Sequence, residues 1–353
     1  MTPSRTATQR EHDCTHEFRR RVDERLALFF EHVLVETERD AREAMPAIAQ
    51  IQSLTMRGGK RLRPLLIIAA VECVTPWETL QAATLDVCAA IELLQTYLLI
   101  HDDWMDRALT RRGGVAVHVA LQKDYGATGE YLAILAGNFA SSLSQSLLTS
   151  QQVPSARVHD LMRVYTALQR ELMLGQTLDL LGSDRFDLMH DLKTGSYTVR
   201  GPLSLGHALA GGGEPPLRAL LAYGTPLGIA FQLRDDLLGV FGEARDTGKG
   251  TSIDLTRGKR TAPVCVALER FSPAQRTAFL SLLEAAGNGA AGAEAAAAEA
   301  AQMMESVGAR QVIEARIATH CEQAIRAVET APFRAEGREL LSALAHQLTT
   351  RNG

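Results

Sequence analysis

IELLQTYLLIHDDWMDRALTRRGG, residues 91–114, runs an apolar helix straight into a burst of charge. Seven of the ten positions up to Ile100 are apolar, and three carboxylates, Asp102, Asp103 and Asp106, then fall within a turn or so of helix. A surface helix would carry a polar stripe well before its end, so this one is read as buried up to its acids. Asp102 and Asp106 are four apart and Asp103 and Asp106 three apart, so their carboxylates share a face. Like charges at that spacing mildly destabilise a helix, so fold stability does not ask for them. A cluster of oxygen ligands at the mouth of an oily interior suits Mg²⁺. Two arginines, Arg111 and Arg112, follow almost at once.

Outward from that segment most of the chain reads as helix. Apolar residues recur at three- and four-residue spacing through 20–54, 63–74, 79–107, 130–149, 156–182, 217–242, 261–270 and 309–329. No alternating strand pattern emerges, and Gly and Pro gather between the helical stretches, at RGGKRLRP (57–64), TRRGGV (110–115), RGPL (200–203) and AGGGEPP (210–216). The expectation is an all-α fold in one domain from about residue 21 to 353, after a loose polar tail over residues 1–20. The chain is 46% hydrophobic and 22% charged with a formal charge of −4, as in a soluble globular protein and without the basic excess of a nucleic-acid binder. The N-terminus has no apolar core of a signal peptide, and LLIIAAVECV (65–74) is too short to span a bilayer. The cysteines are scattered without a CxxC pair, which suits a reducing cytoplasm, and Cys73 and Cys88 read as small core residues.

A second acidic segment repeats the theme. In FQLRDDLLGVFGEARDTGKGTSIDLTRGKRTAP (231–263), Asp235 and Asp236 follow apolar helix, and Lys249, Lys259 and Arg260 follow in Gly-containing loops suited to phosphate. Carboxylates cannot hold a diphosphate directly. The two acidic groups together carry about −5 and a diphosphate roughly −3, so divalent cations must bridge them. Such metals also stabilise charge developing on a departing diphosphate. Acids above an apolar interior therefore suggest a substrate with a diphosphate head and a hydrocarbon tail.

These segments together resemble the trans-isoprenyl diphosphate synthases, from about residue 30 to the C-terminus. The resemblance rests on GGKRLRP (58–64), HDDWMDRALTRRG (101–113), GQTLDL (175–180), KTGSY (193–197), FQLRDD (231–236) and GKGTSIDLTRGKRT (248–261), in the family's order. It implies antiparallel helices around a deep central cavity, a homodimer, and about three Mg²⁺ ions per active site. It assigns Asp102, Asp103, Asp106 and Asp235 to metal, with Asp236 supporting. It gives the allylic diphosphate to Arg111, Lys193, Thr194, Gln232 and Lys249, with Lys259 nearby, and that of isopentenyl diphosphate to Gly59, Lys60, Arg63, Gln95 and Arg112. Phe231 would face the reacting carbons, while His101 and His118 are further candidates for phosphate contact. The implied reaction ionises an allylic diphosphate (dimethylallyl, geranyl or farnesyl), adds isopentenyl diphosphate head-to-tail, and loses a proton; the catalytic residues would be Asp102, Asp103, Asp106, Lys193, Asp235 and Lys249. Water exclusion by an apolar pocket agrees with such chemistry.

One position departs from the pattern: the second DDxxD ends at Gly239, with Glu243 and Asp246 as possible substitutes. DDLLGVFGE (235–243) also approximates the metal motif of terpene cyclases, which share the fold and need one diphosphate site. The separate basic site of GGKRLRP and Arg112 favours the synthase. A catalytically silent subunit is the remaining rival, and the intact first motif speaks against it. Tyr97 and Leu98 lie roughly 6–8 Å along the helix from Asp102, where they would cap a growing tail. The family pattern is that two aromatics there favour farnesyl products and a single aromatic at the Tyr97 position favours geranylgeranyl diphosphate, which is the product expected here, with farnesyl diphosphate or a longer chain (C25 or more) as the alternative.

Overall fold

The computed structural model describes residues 7–349, apart from 184, 186–187, 190, 243–252, 257–258, 260 and 289–291. It is all-α as expected. Helices α1 (Ala7–Ala41), α2 (Met45–Met56), α3 (Leu62–Glu72), α4 (Gln81–Met105), α5 (Val117–Tyr125), α6 (Thr128–Leu148) and α7 (Ser155–Leu180) are followed by a π-helical segment, Asp191–Arg200. Then come α8 (Gly201–Ala210), α9 (Glu214–Phe241), the single turn α10 (Ile253–Thr256), α11 (Ala262–Arg270), α12 (Pro273–Gly287), α13 (Ala293–Ser306), α14 (Ala309–Glu329) and α15 (Ala335–Thr349). The strands found among the described residues are two dipeptides, β1 (Thr110–Arg111) and β2 (Gly114–Val115), paired antiparallel.

By contacts the chain divides into two compact units. The first comprises Met1–Met173, Ser196–Leu221 and Ala331–Ala343, and the second Leu174–Gly195, Ala222–Thr330 and Leu344–Gly353. In the first, α4 packs along α6, α3 against α8, and α5 on α6. The stretch Trp77–Met105 is long and apolar enough to cross a membrane, but most of it is buried inside this unit: Val87, Cys88, Leu93, Leu94 and Ile100 are fully enclosed. Cys73 and Cys88 are core residues, as read from the sequence. In the second unit α12 and α13 form a helical pair, and α11 packs on α14.

The loose tail expected over residues 1–20 is corrected from Ala7 onward by α1, and residues 1–6 lie outside the described residues. Phe18, Val22, Leu26, Phe30 and Val33 recur at three- and four-residue spacing and are buried, and Phe18 meets Trp77 edge-on at 5.1 Å. Among the polar residues that suggested a tail, Glu17 pairs with Arg20 and Arg21 along this helix. The helix expected over 20–54 is broken at Arg42–Ala44 by a 3₁₀ turn, after which Pro46 sits in the first turn of α2, where a missing N–H costs nothing.

One ion pair ties the first unit together. Arg61 takes a left-handed φ of 47° ahead of α3, and its guanidinium is 1% exposed. It donates to Glu92 of α4, to Asp23 of α1 at 2.8 Å, and to the Thr55 carbonyl of α2 at 3.1 Å. Attraction to Glu92 and Asp23 outweighs the desolvation that burial imposes, so the Arg61 pKa is raised. Removing one partner of a buried pair leaves an uncompensated charge. Arg61→Ala should therefore lower unfolding free energy by about 3–5 kcal/mol in denaturant titration, while Arg61→Met with Glu92→Leu should recover much of that loss.

Candidate active site

The first unit carries the first acidic motif and the basic residues around it. Helix α4 ends at Met105, and the Asp106 N–H donates to the Asp102 carbonyl at 2.8 Å, so Asp102 and Asp103 are in the last helical turn. Asp103 is completely buried, Asp102 is partly exposed and Asp106 is exposed. Arg111 on β1 reaches back to both of the first two: its Nε donates to Asp103 Oδ1 at 2.7 Å and its Nη2 to Asp102 Oδ2 at 3.3 Å. In the fold as it stands Arg111 pairs with Asp102 and Asp103 and offsets part of their charge. Burial pushes the Asp103 carboxyl up, against the pull of Arg111, and Asp102 pushes the same way.

Among the described residues no group of three or more acidic, His or Cys side chains stands close enough together to hold a metal ion as a formed cluster. The donor set nonetheless fits a hard divalent cation. Asp103 Oδ2 is buried without a hydrogen-bond partner, and Asp102 and Asp106 lie four residues apart on the more accessible side. His118 is buried with Nδ1 unpartnered; burial lowers its pKa, with Asp103 pulling the other way. His101 is committed to structure: its Nε2 lies 3.0 Å from the Ile134 carbonyl and its ring covers Gly137, where a Cβ would sit 2.2 Å from that nitrogen. The same ring meets Tyr97 edge-on at 4.8 Å, so Tyr97 is braced from the acidic end.

The basic residues of this unit form a second group. Arg63 donates to the Thr198 hydroxyl at 3.1 Å and lies 4.1 Å from the centre of the buried Tyr197 ring, with its Nε buried and unpartnered. Burial holds the Arg112 pKa down; Glu92 and Tyr197 raise it, and Arg61 and Arg63 lower it further. A Cβ on Gly59 would lie 4.0 Å from Arg112 Nη2, which places Arg112 beside the Gly58–Gly59 loop. Lys60 is exposed next to it, and Gln95 is partly exposed on α4. Crowded, partly desolvated guanidiniums with few acids are a ready anion site.

The second unit carries its own acid–base group. Lys193 Nζ is 2.6 Å from Asp179 Oδ2, and a Cβ on Gly175 would lie 2.6 Å from the Lys193 backbone nitrogen. GQTLDL thus supplies a glycine that lets α7 approach the π-helix and an acid that holds Lys193. A π-helical turn in this position is in keeping with such turns gathering at functional sites. Thr194 lies on the same turn. On α9, Phe231 and Gln232 are partly exposed and Asp235 is exposed. Asp236 is buried and both its oxygens are engaged, Oδ1 by Gln232 Nε2 at 2.8 Å and Oδ2 by the Ala262 N–H at 2.9 Å. It therefore supports the segment entering α11. Lys259 is exposed, its Nζ 3.9 Å from Asp254 Oδ1. Glu243, Asp246, Lys249 and Arg260 lie outside the described residues.

Comparison with known proteins decides the family. The polyprenyl synthetase family model matches residues 46–302. The chain belongs to the polyprenyl synthetase family. It is 31% identical over 309 residues to a geranylfarnesyl diphosphate synthase of Aeropyrum pernix, covering 84% of this chain and 92% of that one. It is 32% identical over 300 residues to a short chain isoprenyl diphosphate synthase of Methanothermobacter thermautotrophicus, covering 83% and 87%. Among solved structures, a geranylgeranyl pyrophosphate synthase of Corynebacterium glutamicum complexed with isoprenyl diphosphate and magnesium superposes with a TM-score of 0.85 at 31% identity, covering 95% of this chain and 99% of that one. This synthase is a prenyltransferase that makes prenyl diphosphates. The relatives differ in product length, so family membership alone does not fix how long its product is.

Sequence reasoning did not find Asp254. A Cβ on Gly239 would lie 1.9 Å from Asp254 Oδ2, so the carboxylate of Asp254 fills the place that a side chain at 239 would take. The only signal was the acid within GTSIDLTRGKR, fifteen residues past the gap in the motif. Gly239→Asp, although it restores the DDxxD pattern, should lower the unfolding free energy by about 1–3 kcal/mol through overlap and like-charge repulsion, without raising turnover. A more active Gly239→Asp enzyme would contradict this.

Proposed function

We propose that this synthase condenses isopentenyl diphosphate with allylic diphosphates and stops at geranylgeranyl diphosphate. The observation that carries the chain length is Tyr97, a single bulky aromatic braced by His101 on α4 and followed by the smaller Leu98. The Corynebacterium glutamicum enzyme, whose structure is named as a geranylgeranyl pyrophosphate synthase, supports the same reading.

In this reading Asp102, Asp103, Asp106 and Asp235, with Asp236 supporting, would hold Mg²⁺, about three ions per site. The metal would supply stabilisation of the charge that gathers on the departing diphosphate. Arg111, Lys193, Thr194, Gln232, Lys249 and Lys259 bind the allylic diphosphate. Gly59, Lys60, Arg63, Gln95 and Arg112 hold isopentenyl diphosphate, whose alkene attacks the allylic carbon before a proton is lost. Phe231 and the apolar wall below the acids keep water from the carbocation. The chain from about residue 21 onward would act as one catalytic domain.

The enzyme is proposed to work in the cytoplasm as a homodimer. Cys73 and Cys88 are buried and unpaired, as suits a reducing compartment. On α6, Tyr131, Leu135 and Phe139, each four residues from the next, are 67%, 60% and 41% exposed, an apolar stripe of the kind that a second copy covers. Leu135→Glu should convert the dimer to monomer in light scattering after gel filtration.

Purified protein incubated with Mg²⁺, isopentenyl diphosphate and each allylic primer should yield geranylgeranyl diphosphate by mass spectrometry. No elongation from any primer would overturn the synthase reading, and a cyclic hydrocarbon from one diphosphate would favour a cyclase. Leu98→Phe should shorten the product toward farnesyl diphosphate and Tyr97→Ala should lengthen it. Unchanged lengths in both variants would place the floor elsewhere.

A further inference from the structure

Arg112 reaches the basic group of the first unit from a hairpin that is too small to hold itself. Each strand is two residues long, with Thr110 opposite Val115 and Arg111 opposite Gly114. The turn is Arg112–Gly113, and both residues have positive φ, 51° and 69°. Two left-handed residues suit a tight hairpin turn, but Arg in that conformation costs stability that Asn or Gly would not. A short isolated hairpin is marginal in water even with good turn residues. Something outside the hairpin must fix it.

On one side the fixing is done by Arg111, held by Asp103 and Asp102. On the other it is done by Arg57. This residue caps α2, its N–H donating to the Ser53 carbonyl at 3.1 Å, so its Cα belongs to the helix. Its Nη1 donates to the Val115 carbonyl at 2.8 Å and to the Arg111 carbonyl at 3.2 Å, one on each strand. The guanidinium lies over Gly114, where a Cβ would fall 2.6–2.8 Å from Cζ, Nη1 and Nε. Arg57 also starts the Gly58–Gly59–Lys60 loop, whose far end is fixed by the buried Arg61. One residue therefore sits at the root of the glycine loop and grips the hairpin that brings Arg112 beside that loop.

We propose that Arg57 is a positioning residue of the isopentenyl diphosphate site: it straps the 110–115 hairpin to the end of α2 and so keeps Arg112 in register with Gly59 and Lys60. The inference rests on reading those basic residues as the isopentenyl diphosphate site. Arg57 itself need not touch the substrate. Arg111 has its own anchor in Asp102 and Asp103, so the loss should fall on isopentenyl diphosphate more than on the allylic partner.

Gly114 makes the idea testable without removing the arginine. It has no positive φ, so Ala fits its backbone, and the new methyl group would fall nearest the flexible end of Arg57 and push it off the hairpin. By calorimetric titration with isopentenyl diphosphate, Arg57→Ala and Gly114→Ala should each weaken binding about tenfold, the worth of a charged hydrogen bond. The double variant should be no weaker than either alone, because both break one contact. In turnover, KM for isopentenyl diphosphate should rise by a similar factor, with kcat and the allylic KM within about twofold, and Arg57→Lys should recover part of the loss. Unchanged affinity in both single variants, or additive losses in the double variant, would overturn the strap. If Arg57→Ala fails to fold, Gly114→Ala still decides the matter. Wild-type protein that binds isopentenyl diphosphate but makes no longer product would defeat the proposed reaction and leave this inference standing.

Discussion

A guanidinium sealed from water must be surrounded by its partners, and in this chain that condition organises the first unit. Arg61 is held by Glu92, Asp23 and the Thr55 carbonyl, which belong to α4, α1 and α2 respectively. Because an unpaired charge there would cost several kcal/mol, those helices have one register in which the charge is satisfied. The glycine loop that precedes Arg61 and the acid-bearing end of α4 inherit their places from it. Arg61 thus stands apart from its neighbours in GGKRLRP. Lys60 is exposed and Arg63 half-buried, while the Arg61 guanidinium is sealed inside the scaffold.

The same economy recurs at the acids. Crowding Asp102, Asp103 and Asp106 at a helix end is tolerable because Arg111 returns on a tiny hairpin to neutralise two of them. Asp103 keeps one oxygen buried and unpartnered, which leaves the site short of positive charge even so. In the second unit, Asp236 is fully engaged by Gln232 and the Ala262 N–H, and Lys193 by Asp179.

What the sequence made legible follows from locality. Helices, the burial of α4 and the two acidic motifs are written in spacings of three and four residues, so periodicity and charge reveal them. The long-range partners are not. Arg57 grips carbonyls more than fifty residues away, Asp254 fills the space at Gly239, and Arg61 reads as one more base in a basic motif. Nothing near those residues in the sequence signals the contact. Residues 7–20 failed differently: their polar composition suggested a tail, yet Phe18 and its helical neighbours supply enough apolar surface to fasten α1 against Trp77.

In the proposed reaction two diphosphates are held by different means, one through metal on the acids and one directly on arginine and lysine. Calorimetric titration of each substrate class, isopentenyl diphosphate and a non-ionisable allylic thiolodiphosphate, with Mg²⁺ and then with a chelator, tests this most directly. The account predicts that isopentenyl diphosphate binds under both conditions and that the allylic analogue binds only with Mg²⁺. Loss of isopentenyl diphosphate binding in the chelator, or metal-independent binding of the allylic analogue, would contradict it.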